Sequence, residues 1–104
     1  MRIIAALVND VRTPEHETVT LLNTSDAEVD LAGWKLLDRL KQASPLDGRL
    51  QPGEARRFDV QLPMALSNKG GIITLVNAEG LKVHGVSYTR DQARQPGRTI
   101  PFQT

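Results

Sequence analysis

Short runs of β-forming residues, broken by Gly, Pro, Asn or Asp every few positions, dominate this chain and restrict it to a sandwich or a barrel. Residues 3–8 form the longest apolar run, six residues, far short of the roughly 20 needed to cross a bilayer as a helix. Met1-Arg2 before it mimics the start of a signal peptide. The run is nevertheless shorter than a secretory apolar core, and it ends in Asn9-Asp10 with no small-residue cleavage pattern. It reads as a strand, residues 2–8, apolar on both faces. Such a strand is either central in its sheet or covered by another domain or a second copy.

The next strands alternate. Residues 17–23 put Val19 and Leu21 on one face, and Val29 and Leu31 flank Asp30 in a short half-buried strand. Between them, residues 23–26 form a turn, because Asn, Thr, Ser and Asp side chains bond locally to backbone. Gly33 turns the chain into a strand over residues 34–38. Residues 39–45 are polar and read as a loop, and residues 46–50 as a weak strand. Gln51-Pro52-Gly53-Glu54 is a strong turn, with Pro presetting one dihedral and Gly accepting positive φ. Residues 56–60 resume a strand with Phe58 and Val60 inward, and residues 62–68 bridge two sheets.

Residues 71–77 and 81–88 form a hairpin closed by Asn77-Ala78-Glu79-Gly80. Leu81 and Val83 share one parity and Val86 and Tyr88 the other, so a β-bulge at Gly85 is expected to bring all four to the core. Thr89-Arg90-Asp91-Gln92 fits a capping box before a single helical turn that Pro96-Gly97 ends. Ile100 and Phe102 are expected in a last edge strand, with Pro101 limiting further pairing.

One domain spanning 1–104 is expected from the length. The core is mainly aliphatic, since Trp34, Phe58, Tyr88 and Phe102 are the only aromatics. With no Cys there is no disulfide framework, thiolate zinc site or cysteine nucleophile. The missing cysteines and export signal favour a cytoplasmic setting. A formal charge of +1 gives no electrostatic basis for wholesale nucleic-acid binding, although residues 1–30 carry −4 and the remainder +5.

At Trp34 a family pattern emerges. Glu17-Thr18-Val19-Thr20-Leu21-Leu22-Asn23 leading to Val29-Asp30-Leu31-Ala32-Gly33-Trp34-Lys35-Leu36-Leu37-Asp38 resembles the opening of the lamin-tail domain. Leu50-Gln51-Pro52-Gly53-Glu54 is similar to that family's L-x-P-G-E turn. Residues 66–75 resemble its L-x-N-x-G-D-x-x-x-L stretch, and Gly80 with residues 83–88 its G-x-x-V-D-x-x-x-Y ending. The resemblance covers about residues 15–90, with five ordinary motifs in the right order. It implies an immunoglobulin-like β-sandwich with Greek-key topology, in which Trp34, Leu36, Leu75 and Tyr88 hold the core. Lamin-tail domains mediate protein and DNA contacts in nuclear lamins and serve as accessory domains in bacterial proteins, and no catalytic residues are known for the fold. Gly71 and His84 stand where the family commonly has Asp, which puts any role of those acids in doubt here.

No catalytic constellation is present in the sequence: G-x-S-x-G, H-E-x-x-H and the phosphate-loop pattern are all missing. His16 sits between Glu15 and Glu17, but neighbours on a strand point to opposite faces and cannot all meet one metal. His84 reads as a solvent-facing or edge histidine. Asp26, Glu28 and Asp30 alternate without an EF-hand loop pattern and read as a solvated face. Asn23-Thr24-Ser25 is a chance glycosylation sequon. Arg39, Lys41, Arg49, Arg56 and Arg57 flank the central loop, and Arg90, Arg94 and Arg98 cluster near the C-terminus. The last three are the candidate partner-binding residues, Arg90 and Arg94 sharing a face of the helical turn. The expectation is a non-enzymatic module with no cofactor and no metal. It would dock to a protein partner or a neighbouring domain, without membrane association. The alternative is phosphate-backbone binding by the same arginines, without the interleaved aromatics that single-strand binders use.

Overall fold

The computed structural model describes residues 1–8 and 17–102. Among them the elements run β1 (Arg2–Leu7), β2 (Thr18–Leu22), β3 (Val29–Asp30), β4 (Lys35–Leu37), β5 (Ala43–Pro45), β6 (Arg49–Leu50), β7 (Ala55–Asp59), β8 (Gly70–Val76), β9 (Lys82–Thr89), α1 (Arg90–Ala93) and β10 (Thr99–Pro101). One four-stranded sheet has the order β10-β1-β2-β7 and a second the order β5-β4-β8-β9, with β3 and β6 paired at the side. All pairings are antiparallel. Joining β2 to β7 and β4 to β8 obliges the chain to cross between sheets repeatedly, which is the connectivity of an immunoglobulin-like Greek-key sandwich. Glu15 and His16 lie outside the described residues.

The core sits between the two inner faces. Ile3, Ala6, Val19 and Leu21 from the first sheet join Leu36, Ile73, Leu75 and Tyr88 from the second in one buried cluster. Burying each large aliphatic side chain is worth about 1.5–3 kcal/mol. Trp34, Phe58, Val60 and Val86 pack against this cluster while remaining partly exposed.

Two β-bulges set the phase of the outer strands. On β1 the pairing with β2 skips Ile4, passing from Ile3↔Leu21 to Ala5↔Thr20. The inserted residue brings Ile3, Ala6 and Val8 all inward, each at most 1% exposed, so a run that alternation alone reads as two-faced serves one core. β1 is central, between β10 and β2.

On β9 the bulge is at Val83, not at Gly85 as the parity change suggested. Leu75 pairs with His84 and Val76 with Lys82, whereas Gly85 pairs regularly with Thr74. The shift therefore falls before His84, leaving His84, Val86 and Tyr88 on one face. Leu81 and Val83 do not reach the core; they are 64% and 37% exposed.

Residues 39–45 also differ from the expected loop, because Ala43–Pro45 pairs with β4. The Asp38 carboxylate makes the hairpin. Its Oδ1 accepts from Leu40 N and Gln42 N, both at 2.9 Å, and its Oδ2 from Ala65 N at 3.1 Å. Of residues 46–50, only Arg49–Leu50 is strand, paired with β3. The Gln51–Glu54 turn forms as expected, with Glu54 N donating to Gln51 O and Gly53 at φ 75°.

Asn23 ties these crossovers together. Its Nδ2 donates to Ala27 O (2.8 Å) and Leu50 O (3.0 Å), and its Oδ1 accepts from Ser25 N and Ser25 Oγ. Its backbone N donates to Glu54 O and its carbonyl accepts from Gly53 N. With both amide protons used and the side chain fully buried, the glycosylation sequon is structural. Replacing Asn23 with Ala strips partners from two carbonyls at once. The expected cost is about 2–3 kcal/mol, read as a lower urea midpoint with an unchanged m-value.

Candidate strand-edge site

Among the described residues β9 is the outer strand of the second sheet, bonded to β8 alone, and β10 is the outer strand of the first, bonded to β1 alone. On an antiparallel edge strand, alternate residues turn their N–H and C=O groups away from the sheet. The two edges line a groove of about 570 Å³ bordered by His84, Gly85, Val86, Ser87, Gln92, Pro101 and Phe102.

His84 closes one end of this groove from inside. β10 pairs with β1 over Ala5–Leu7, and Phe102 N continues to Ile4 O, so among the described residues the Ile3 N–H stands beyond it. That N–H donates to His84 Nδ1 at 3.0 Å, linking the two sheets. His84 is an edge histidine, as one form of the expectation had it, but not a solvent-facing one: the Val83 bulge turns the ring toward β1. An accepting Nδ1 requires a neutral ring with its proton on Nε2. Burial first, then the positive charges of Arg2, the N-terminal ammonium and Lys82, hold its pKa below the usual histidine value.

At the other end, Thr89 caps α1. Its Oγ1 accepts from Gln92 N at 3.2 Å while Gln92 Oε1 accepts from Thr89 N at 2.8 Å, a reciprocal capping box. The cap fixes where the chain leaves β9 and so where the arginines stand. Arg90 is the first residue of α1 and Arg94 its C-cap, so both belong to one turn. Arg98 lies on the return to β10, with its Nη1 donating to Gln95 Oε1 at 2.8 Å. All three are exposed. Arg98 borders a smaller cleft of about 330 Å³ with Asp91, Gln92, Thr99, Ile100 and Pro101.

The central basic residues behave differently. Arg49 lies 3.7 Å from Glu28 and 3.8 Å from Asp30, and Arg56 lies 2.8 Å from Glu54. The acidic stripe over residues 26–30 therefore meets a cation of its own chain. Among the described residues no group of three or more His, Asp or Glu side chains is placed to hold a metal. No described helix is long and apolar enough to cross a membrane.

A second cleft, about 490 Å³, lies between the Asp38 hairpin, residues 65–71 and Tyr88. Its polar groups serve the fold. Tyr88 OH donates to Ser67 O at 2.7 Å, and Glu17 Oε1 accepts from Leu66 N at 3.0 Å. Burial, reinforced by the Glu17 and Asp38 carboxylates, pushes the Tyr88 pKa up to about 12. The phenol lies over Gly71, where an added Cβ would stand 2.7 Å from the hydroxyl oxygen. A side chain at position 71 would therefore collide with the ring above it. The His84 link, the Asp38 hairpin and the Asn23 hub all escaped sequence reasoning. Only the turn read over residues 23–26 pointed toward one of them, the Asn23 hub.

Two titrations check these environments. A histidine with a depressed folded pKa contributes stability above its unfolded value, about 6.5, and loses it as pH falls below that. The advantage of the parent over H84A in urea denaturation is therefore expected to be full at neutral pH and to shrink on acidification. Tyr88 is the single tyrosine, so ultraviolet titration is expected to show no phenolate in the ordinary tyrosine range near 10 while the chain stays folded.

No protein-family model, curated protein or solved structure matches this chain, so the site is defined by its own geometry.

Proposed function

We propose that this chain is a non-enzymatic docking module, a lamin-tail-type sandwich that binds a protein partner or a neighbouring domain along β9. The observation that carries the reading is the contrast between β9 and the other outer strands. β5 is three residues long and ends in Pro45, and β10 is three residues long and ends in Pro101. β7 carries Arg56, Arg57 and Asp59 among its five residues. Short length, proline and charge are the devices by which proteins prevent edge pairing. β9 has eight residues, and from His84 to Thr89 it contains neither proline nor a charged side chain. That stretch spans about 20 Å at ~3.3 Å per residue; the Thr89 N–H is taken by Gln92 Oε1, and among the described residues the outward backbone groups before it are the open surface used in strand addition.

The non-enzymatic reading rests on the fate of the reactive side chains. Asp38 binds backbone groups of the fold through both carboxylate oxygens, and Glu17 Oε1, Tyr88 OH and His84 Nδ1 each bind one. The lamin-tail assignment rests on the ordered motifs over residues 15–90, which fall on β2 through β9. Phosphate-backbone binding by Arg90, Arg94 and Arg98 is the weaker reading. Trp34, Phe58 and Phe102 pack against the core, and Tyr88 is buried, so none offers a base-stacking platform.

Panning a random octapeptide library against the domain, followed by amide exchange, tests this reading. Recovered peptides are expected to slow exchange at residues 84–89. Peptides that protect another surface, or a library that yields no binder, would overturn it.

A further inference from the structure

We infer that the segment docking on β9 is acidic as well as extended, its carboxylates alternating with apolar residues. This rests on the docking reading above and adds the chemistry of the occupant.

Charge along the edge is one-sided. Residues 81–102 carry Lys82, Arg90, Arg94 and Arg98 against Asp91 alone. Lys82 is not thrown out into solvent away from the strand. Its side chain folds back over Gly85, with Cε and Nζ 2.9 and 3.1 Å from where a Cβ on that glycine would stand. A larger residue at position 85 would displace it, so glycine here permits the ammonium to lie over the sheet face beside the start of the open stretch. Arg2 and the N-terminal ammonium add positive charge at the His84 end. Arg90 follows directly on the last β9 residue at the other end. Cations therefore stand at both ends of the backbone an added strand would pair with, Lys82, Arg2 and the N-terminal ammonium at one and Arg90 at the other.

Away from this edge two arginines meet carboxylates of their own chain, Arg49 with Glu28 and Asp30 and Arg56 with Glu54. Among the described residues neither Lys82, Arg90 nor Arg98 has a carboxylate within ion-pair distance. The desolvation of these cations on docking would be offset by carboxylates from the partner, and the same field would steer an acidic segment in and a basic one away. The groove also has an apolar lining in Val86, Pro101 and Phe102. An added strand turns alternate side chains to opposite faces, so one row meets that lining while the other meets the cations.

The test compares fluorescent octapeptides of alternating Glu-Val, Lys-Val and Ser-Val by anisotropy, with amide exchange on each complex and a single-stranded DNA oligonucleotide alongside. The Glu-Val peptide is expected to bind at least about tenfold more tightly than the Lys-Val peptide and to weaken with added salt. It should also protect residues 84–89. The double variant K82E/R90E should lose that preference or reverse it while exchange in β1 and β2 stays unchanged. Equal binding of all three peptides with β9 protected would overturn the acidic occupant and leave strand docking standing. Absence of β9 protection with every peptide would overturn both. Salt-sensitive oligonucleotide binding without any peptide binding would overturn both in favour of phosphate recognition.

Discussion

The sandwich depends on one buried side-chain amide. A two-sheet fold whose chain crosses repeatedly between layers must satisfy backbone groups where neither sheet supplies a partner. Asn23 stands at the end of β2 and bonds through both its amide and its backbone to residues of the β2–β3 turn, β6 and the turn before β7. Because it uses donors and acceptors together, no apolar residue substitutes for it, and no smaller polar residue reaches both carbonyls. The short β3–β6 ladder, only two residues on each strand, is too small to hold this corner alone. The position of β7 against β2 follows from the same anchor, since Gly53 and Glu54 bond to the Asn23 backbone immediately before β7 begins.

Local chemistry made much of this legible. Strands built on plain alternation, such as Val19 and Leu21 on β2, fall where period-two reasoning puts them. So do the turns at Pro52-Gly53 and Asn77–Gly80, and the capping box at Thr89. What alternation did not locate was the extra residue in a bulge. The parity change on β9 was visible, but glycine drew attention because it tolerates distortion. The strand bulges at Val83, where the side chain faces partly outward and nothing is lost from the core. The β1 bulge was invisible, because a uniformly apolar run has no parity to break. The Ala43–Pro45 strand was hidden by its composition. Its pairing is imposed by Asp38, which gathers three backbone N–H groups into one carboxylate, and propensity does not register that kind of organisation.

The candidate site was legible only in part. The arginines at 90, 94 and 98 were marked as a cluster, and the capping box does place Arg90 and Arg94 on one turn. Their significance changes once the strand order is known, because they then stand at the end of an open edge. Edge position is a property of topology, and topology here is set by contacts between residues far apart in sequence. The same holds for His84, whose partner at Ile3 lies 81 residues away.

These features converge on one side of the molecule. The Val83 bulge turns His84 inward, and His84 then supplies the acceptor that β10 is too short to provide for Ile3. The neutral imidazole satisfies the Ile3 donor from the facing sheet. Beyond the bulge, the strand continues from His84 to Thr89 without a blocking residue, while Lys82 lies back over Gly85 instead of projecting across the edge. A fold selected only for solubility would be expected to place proline or charge within that stretch, as it does on the other three outer strands. The link between the sheets and the openness of β9 are therefore one arrangement. Protonating His84 would weaken the wall of the groove as well as the sandwich behind it.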